Sequence, residues 1–320
     1  MKEIVVGVNE AGQRLDKLLA KVLHQCSKSF LYKMLRKKNI KLNNKKAEGR
    51  ELLKLGDTIQ VFFSDETYEK FTKKDTMRLP ILPEQFQVIY EDEDVILLNK
   101  WQGVLSQKAR EDDISMNEYL LAYLFEQGRI SQETMQSFTP SICNRLDRNT
   151  TGLLIGGVSL RGLQVMAKAL KERTIGKYYY AIVAGQVTKN CHLRGYLLKD
   201  EDRNRVRIVS EQKAFSDGIG TPIETEYEVV RVMEQATLLK VHLITGKTHQ
   251  IRAHLASIGH PIIGDRKYGD SRVNLQFQQS HGIHCQLLHA KELHFPADFP
   301  LGKLAGKVVE TPVPDIYRNI

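Results

Sequence analysis

Leu15, Leu18, Leu19, Val22 and Leu23 recur at the spacing of one helical face, and a second apolar face, Leu31, Met34 and Leu35, follows Ser27 and Ser29, either of which can cap a helix. The period then changes. Ile40 and Leu42 alternate with Lys41 and Asn43, Asn43-Asn44 supplies a turn, and GDTIQVFF closes as a strand. Residues 12–63 are expected to form a small helix-helix-strand module. Over 64–85 the apolar periodicity fades into Lys, Asp, Glu and Thr and ends in RLPILPEQ, which predicts a linker on which the module pivots.

From Phe86 onward, strands dominate. QVIYEDEDVILLNK sets two apolar runs around an acidic turn, and GLLIGGVS, KYYYAIVAG, IETEYEVVRV and TLLKVHLI read as further strands. The longest helix candidates are SLRGLQVMAKALKER and THQIRAHLAS. Strands outnumber helices without regular βαβ alternation, so the expected class is α+β with a mixed or antiparallel sheet.

The 320 residues, 42% hydrophobic and 27% charged, argue against wholesale disorder and a fibrous chain. Net charge of +9 favours a polyanionic partner. Much of that charge is concentrated: Lys28, Lys33, Arg36, Lys37, Lys38, Lys41, Lys45 and Lys46 follow one another with no acidic residue between Lys28 and Lys46. A run on one helix would ordinarily be a solvated face. This one continues into the hairpin and marks a single surface, suited to salt-dependent, largely sequence-blind binding of a polyanion.

Cys26, Cys143, Cys191 and Cys285 are widely separated and form no C-x-x-C pair, which suggests neither a zinc ribbon nor a disulfide framework and fits a reducing cytoplasm. The start of the chain carries no signal-peptide pattern, and no apolar run approaches the roughly 20 residues that span a bilayer. TGKTHQ lacks the leading glycine of a phosphate loop, Val241 standing in its place. His281, His284 and Cys285 lack a second ligand pair, and His249 and His254 lack zincin spacing, so packing or polar contacts are the expected roles of these histidines.

Asp147, in ICNRLDRNTTGLLIGG, sits between Arg145 and Arg148 just before a turn into an apolar strand. Flanking cations favour an ionised carboxylate, suited to act as nucleophile or base. An isolated R-x-D would more often be an ion pair in a turn, so the company it keeps decides.

NRLDRNTTG resembles the motif H-R-L-D-x-x-T-S-G of the RluA family of pseudouridine synthases. YEDEDVILLNKWQG, GKYYYAIVAG, LITGKTHQIRAHLASIGHPIIGDRKYG and LLHAKELHF resemble its other motifs in the same order, and residues 12–63 resemble the S4 RNA-binding domain. LLKDEDRNRVRIVS followed by a T-x-Y strand is similar to the RluC-type branch, which acts on bacterial large-subunit rRNA. Asn144, Thr151 and Trp101 depart from the usual His, Ser and Pro.

The resemblance implies a catalytic domain over 86–320, built on a mixed, mainly antiparallel sheet flanked by helices, after a small α/β S4-like domain over 12–63 and a linker over 64–85. It implies catalytic roles for Asp147, Tyr179 and Arg252: the reacting carboxylate, a ring packed on the uracil and the cation paired with the aspartate. Arg145 would enter the RNA beside the flipped base, a step that costs a few kcal/mol of unstacking. Lys28, Lys33, Arg36, Lys37, Lys38 and Lys41 would hold the RNA backbone. Structured RNA, with 23S-type rRNA foremost, is the implied partner; no cofactor, metal, membrane or obligate protein partner is implied, and the location is cytoplasmic. The competing reading, a noncatalytic RNA-binding or ribosome-assembly factor on the same scaffold, would not need the Asp147, Tyr179 and Arg252 set.

Overall fold

The computed structural model describes residues 1–72, 78–200, 205–211, 214 and 220–320. Residues 73–77, in the expected linker, and 201–204, in the LLKDEDRNRVRIVS stretch, lie outside the described residues.

The chain begins β1 (Lys2–Val5), α1 (Leu15–Val22), α2 (Lys28–Arg36), β2 (Ile40–Leu42), β3 (Lys45–Lys46), β4 (Thr58–Val61) and α3 (Asp65–Thr72). Ser27 caps α2, its hydroxyl accepting from Phe30 N at 3.3 Å. The β2–β3 hairpin turns through Asn43 and Asn44 at φ +49 and +63, the left-handed pair that suits a two-residue hairpin. The sheet is ordered β1-β4-β2-β3, and the apolar faces of α1 and α2 bury against it.

Two elements extend this module beyond 12–63. Strand β1 pairs with β4, and α3, inside the expected linker, lays Tyr68 and Phe71 on the module's core, Phe71 lying 5.2 Å from Phe30 between ring centroids. No residue of α3 is fully buried, which is why its apolar periodicity does not stand out in the sequence. The module also rests on the larger domain: Leu160 N donates to Asn9 Oδ1 at 3.1 Å, and Ser137 Oγ donates to Glu10 Oε1 at 2.5 Å. It is seated by these contacts instead of hanging from a free pivot.

The larger domain continues β5 (Val88–Glu91), β6 (Val95–Lys100), α4 (Met116–Glu126), α5 (Thr134–Ser137), β7 (Ser141–Ile142), β8 (Thr151–Gly157), α6 (Leu160–Glu172), β9 (Gly176–Ala184), β10 (Cys191–Asp200), β11 (Arg205–Val209), β12 (Thr221–Val232) and β13 (Ala236–Leu243). It closes with α7 (Gln250–Ser257), α8 (Ser271–His281), β14 (Leu288–His294) and β15 (Val308–Glu310). Among the described residues the sheet runs β11-β10-β12-β13-β9-β14-β8-β6-β5, with β7 added to β8 and β15 to β14. Among the strands of the described residues β14 and β8 alone pair in parallel; the class is α+β with a mixed, mainly antiparallel sheet.

The middle strands are the driest. Val95 to Leu98 of β6 are wholly buried, as a strand covered on both faces requires. Helices α4 and α8 leave no periodic stripe in the sequence, for opposite reasons. The middle of α4 is apolar nearly all round, so no single face stands out, although Ser115 and Glu118 form a capping box at its start. Helix α8 buries only Phe277 and is recognisable chiefly by its ends, Asp270 as N-cap and Gly282 in the left-handed C-terminal position.

Two glycines set the loops that matter next. Gly152, at φ +103, begins β8 so close to β14 that a Cβ would overlap the Ala290 backbone; Gly264, at φ +80, approaches the Cys285 carbonyl in the same way.

Candidate active site

Residues 143–150 connect β7 to β8 and carry Asp147. The loop is held from below by the segment after β6. Lys100 is fully buried, and its ammonium donates to the carbonyls of Arg148 at 2.7 Å, Thr150 at 2.9 Å and Trp101 at 3.2 Å. Those acceptors use all three of its donors. Burial pushes the Lys100 pKa down to about 7, against the pull of the Asp147 charge. Ser106 Oγ donates to Leu146 O at 2.9 Å and accepts from Leu146 N at 3.0 Å, while Thr150 N closes a turn onto Asp147 O at 3.0 Å. The three departures from the family motifs all have structural partners: Asn144 Oδ1 accepts from Ile155 N at 2.8 Å, Thr151 Oγ1 lies 2.8 Å from His289 Nδ1, and Trp101 packs on Tyr119 with centroids 5.3 Å apart.

Arg252 approaches Asp147 from α7. Its Nη1 donates to Asp147 Oδ2 at 2.7 Å. The other edge of the guanidinium makes a two-pronged contact with Asp265, Nε to Oδ2 at 2.7 Å and Nη2 to Oδ1 at 2.8 Å. Asp265 is wholly buried and also accepts from the backbone N–H of Lys267 at 2.8 Å and Tyr268 at 3.1 Å. Burial alone would raise the Asp265 carboxyl, but Arg252 and those N–H groups hold it below its ordinary value. Burial would likewise lower the Arg252 pKa, yet Asp265 and Asp147 outweigh it and keep the guanidinium charged. Asp265 thus fixes the arginine, and the arginine fixes one oxygen of Asp147.

The start of α7 is fixed in turn by Gln250, whose side chain is buried and fully used. Its Oε1 accepts from Thr245 Oγ1 at 2.8 Å and Lys247 N at 3.1 Å; its Nε2 donates to Glu224 O and Thr225 Oγ1, both at 3.0 Å. That is the work of the TGKTHQ string: it anchors a helix rather than cradling a phosphate.

Asp147, Tyr179, Arg252 and Arg145 line one cleft, with Thr150 and His249 beside them. Tyr179 is 7% exposed and comes from β9, where it pairs with Val241 and Ala290. Burial raises its phenol pKa, and the charge of Asp147 adds to the rise, so the ring is a neutral wall of the cleft. Tyr178 faces away, stacked on His242 at 4.5 Å, as strand alternation requires. Arg145 is exposed at the mouth. A larger cavity of about 340 Å³ lies where the module meets the catalytic domain, between Asn9, Asp94, Arg129 and Arg161, but none of the Asp147, Tyr179 and Arg252 set lines it.

The remaining candidates lie on the module and not in the cleft. Lys28, Lys33, Arg36, Lys37 and Lys38 are exposed; Lys41 is half-buried, its ammonium 5.1 Å above the ring of the exposed Phe62. The module's ion pairs, Lys2 with Asp65 at 3.3 Å and Arg14 with Asp16 at 2.8 Å, lie outside this run, so among the described residues none of its cations has a carboxylate partner.

Sequence reasoning missed Asp265, Lys100, Gln250 and His249. All four sit inside strings that resemble family motifs, and that placement was the only signal the sequence offered for them. His249 and His254 were expected to serve packing or polar contacts. His254 does: it is 2% exposed, bonded to Thr225 Oγ1 at 3.0 Å, and burial lowers its pKa to about 4. His249 instead faces the cleft.

Comparison with known proteins gives a consistent result. The profile of the RNA pseudouridylate synthase family matches residues 94–257, and that of the S4 domain matches residues 13–59. The ribosomal large subunit pseudouridine synthase C of Vibrio vulnificus is 31% identical over 96% of this chain and 96% of its own length. The protein of that name from Escherichia coli is 29% identical over 92% of this chain and 88% of its own. Among solved structures, human RNA pseudouridylate synthase domain containing 1 superposes with a TM-score of 0.54 at 22% identity, covering 74% of this chain and 86% of that one, a likeness of fold.

Proposed function

The chain belongs to the RNA pseudouridylate synthase family and is a pseudouridine synthase with an S4 domain, and from that premise we propose that it isomerises uridines of large-subunit ribosomal RNA with Asp147 as the reacting carboxylate. The observation that carries the assignment of Asp147 is the buried chain of contacts from Asp265 through Arg252 to Asp147 Oδ2. It holds an anionic oxygen at the wall of a cleft in advance of the reaction, so little reorganisation is needed when charge develops. The rRNA substrate is supported by the names of the relatives and by the exposed cations of the module.

In the reaction the bond from N1 to C1′ breaks, the uracil turns, C5 joins C1′, the C5 hydrogen leaves to solvent and N1 takes up a proton. Substrate and product are isomers, and no co-reactant is consumed. Arg145 fills the place of the extruded base, Tyr179 gives the flipped uracil a flat apolar wall, and Arg252 aims the carboxylate. Attack on C1′, removal of the C2′ proton and addition to C6 all demand the same thing of Asp147: a free oxygen next to the one Arg252 holds.

Release of tritium from large-subunit rRNA transcribed with 5-tritiated uridine tests this. Asp147→Ala is expected to cut turnover by at least about 1,000-fold while leaving RNA affinity largely intact. Persistent turnover in that variant would refute the assignment of Asp147, and a protein that binds the RNA without releasing tritium in any form would be the noncatalytic factor.

A further inference from the structure

His249 stands immediately before α7 at φ +54, a left-handed conformation that costs energy for any residue other than Gly and suits Asn better than His. A strained position that keeps a histidine invites a question about its side chain. That side chain is 9% exposed, lines the cleft and places Nε2 3.9 Å from Asp147 Oδ2. On its far side Nδ1 lies 3.0 Å from the hydroxyl of Tyr268.

The hydrogen bonds around Tyr268 decide where the imidazole carries its proton. The Tyr268 oxygen accepts from Val206 N at 2.9 Å, and its single hydroxyl proton finds an acceptor in His249 Nδ1. Nε2 then bears the hydrogen. The opposite tautomer would aim a lone pair at a carboxylate oxygen. Burial lowers the His249 pKa below its ordinary value although Asp147 pulls the other way, so the ring is neutral near pH 7.

We propose that His249 is a positioning residue: held by Tyr268 with its proton on Nε2, it directs that N–H at Oδ2 of Asp147 and, together with Arg252, occupies this oxygen so that Oδ1 is the one left to react with the nucleotide. Among the described residues Oδ1 of Asp147 has no hydrogen-bond donor, whereas Oδ2 has the Arg252 Nη1 donor at 2.7 Å. The present 3.9 Å is longer than a hydrogen bond. Catalytic contacts of this type are commonly long before substrate closes the site and tighten with it. The inference rests on the synthase reading above, and it gives a function to the His of GKTHQIR that packing does not.

The same tritium release, run as single turnovers with enzyme in excess, tests it. His249→Asn relieves the backbone, so it folds, but its amide stops short of Nε2; it is expected to slow the step roughly 10- to 100-fold with RNA affinity unchanged. His249→Gln, whose amide reaches close to Nε2, should recover most of that loss, which a purely structural role would not allow. Tyr268→Phe keeps the ring beside Arg252 and removes only the hydroxyl, and it should slow the step by roughly 10-fold. If Tyr268 acts through His249, the double variant His249→Asn with Tyr268→Phe is no slower than His249→Asn alone. Losses that multiply, or His249→Asn at the wild-type rate while the wild type releases tritium, overturn the histidine's role alone. No release by the wild type overturns the synthase reading and this role with it.

Discussion

The cleft and the S4 module are both rich in Lys and Arg, and they treat those charges in opposite ways. Around Asp147 the two cations that hold the site are buried and fully engaged: Arg252 spans two carboxylates and Lys100, beneath the loop, is capped by three carbonyls, while Arg145 stands exposed at the mouth. On the module Lys28, Lys33, Arg36, Lys37 and Lys38 stand in solvent with no acidic partner among the described residues. The first arrangement fixes atoms to within a bond length and suits chemistry on one uridine. The second fixes nothing and leaves its charges to a polyanion, whose condensed counterions are released on binding. Precision and attraction are thus separated in space, and the contacts through Asn9 and Glu10 seat one against the other.

The contrast is broken hardest at Asp265. Asp265→Asn leaves Arg252 buried with its two-pronged partner neutralised, and breaking a buried pair in this way costs about 3–5 kcal/mol. Calorimetry should show that loss in stability, and turnover should fall with it, because Asp147 then faces an arginine that is no longer aimed. A variant with wild-type stability would mean that the chain of carboxylates does not hold the site.

Four changes on the module should do far less to the fold. Replacing Lys33, Arg36, Lys37 and Lys38 together by Ala is expected to shift stability by less than about 0.5 kcal/mol per site, since each is exposed and has no carboxylate partner among the described residues. RNA binding is where the effect appears: the slope of log affinity against log salt should flatten by about 3, at about 0.7–0.9 for each phosphate that is no longer neutralised, while the single-turnover rate at saturation is unchanged. An unaltered salt slope would show that the run of cations serves something other than RNA.

The same division explains what the sequence discloses and what it hides. The module is legible because its signals are local: Ser27 before a helix, Asn43-Asn44 between strands, cations in a run. The cleft is legible only through resemblance, since Asp147, Tyr179 and Arg252 come from a loop, a strand and a helix far apart in the chain, and no periodicity links them. Asp265 and Lys100 carry no local signal of their role. Each acts through a partner that only the folded chain supplies, across 13 residues for Asp265 to Arg252 and 48 for Lys100 to the Arg148 carbonyl. Helix α3 was obscured for another reason: it contributes Tyr68 and Phe71 to a core whose main elements lie elsewhere, so its own pattern is polar.

The smallest effect probes a buried neutral group of the cleft that is left without a partner. Thr150, 2% exposed and one turn from Asp147, has a buried hydroxyl with no hydrogen-bond partner among the described residues. Its backbone is tightly used, the carbonyl by Lys100 and the N–H by Asp147 O, so the residue cannot swing to find one. An unmet hydroxyl in such a place costs about 1 kcal/mol or more, and a methyl of nearly the same shape does not. Thr150→Val is therefore expected to raise the melting temperature by about 2–4 °C, as a gain of about 1 kcal/mol does in a domain of this size. A fall in melting temperature would show that the hydroxyl is satisfied in solution, and the rule that holds for the charges of the cleft would then extend to its neutral groups as well.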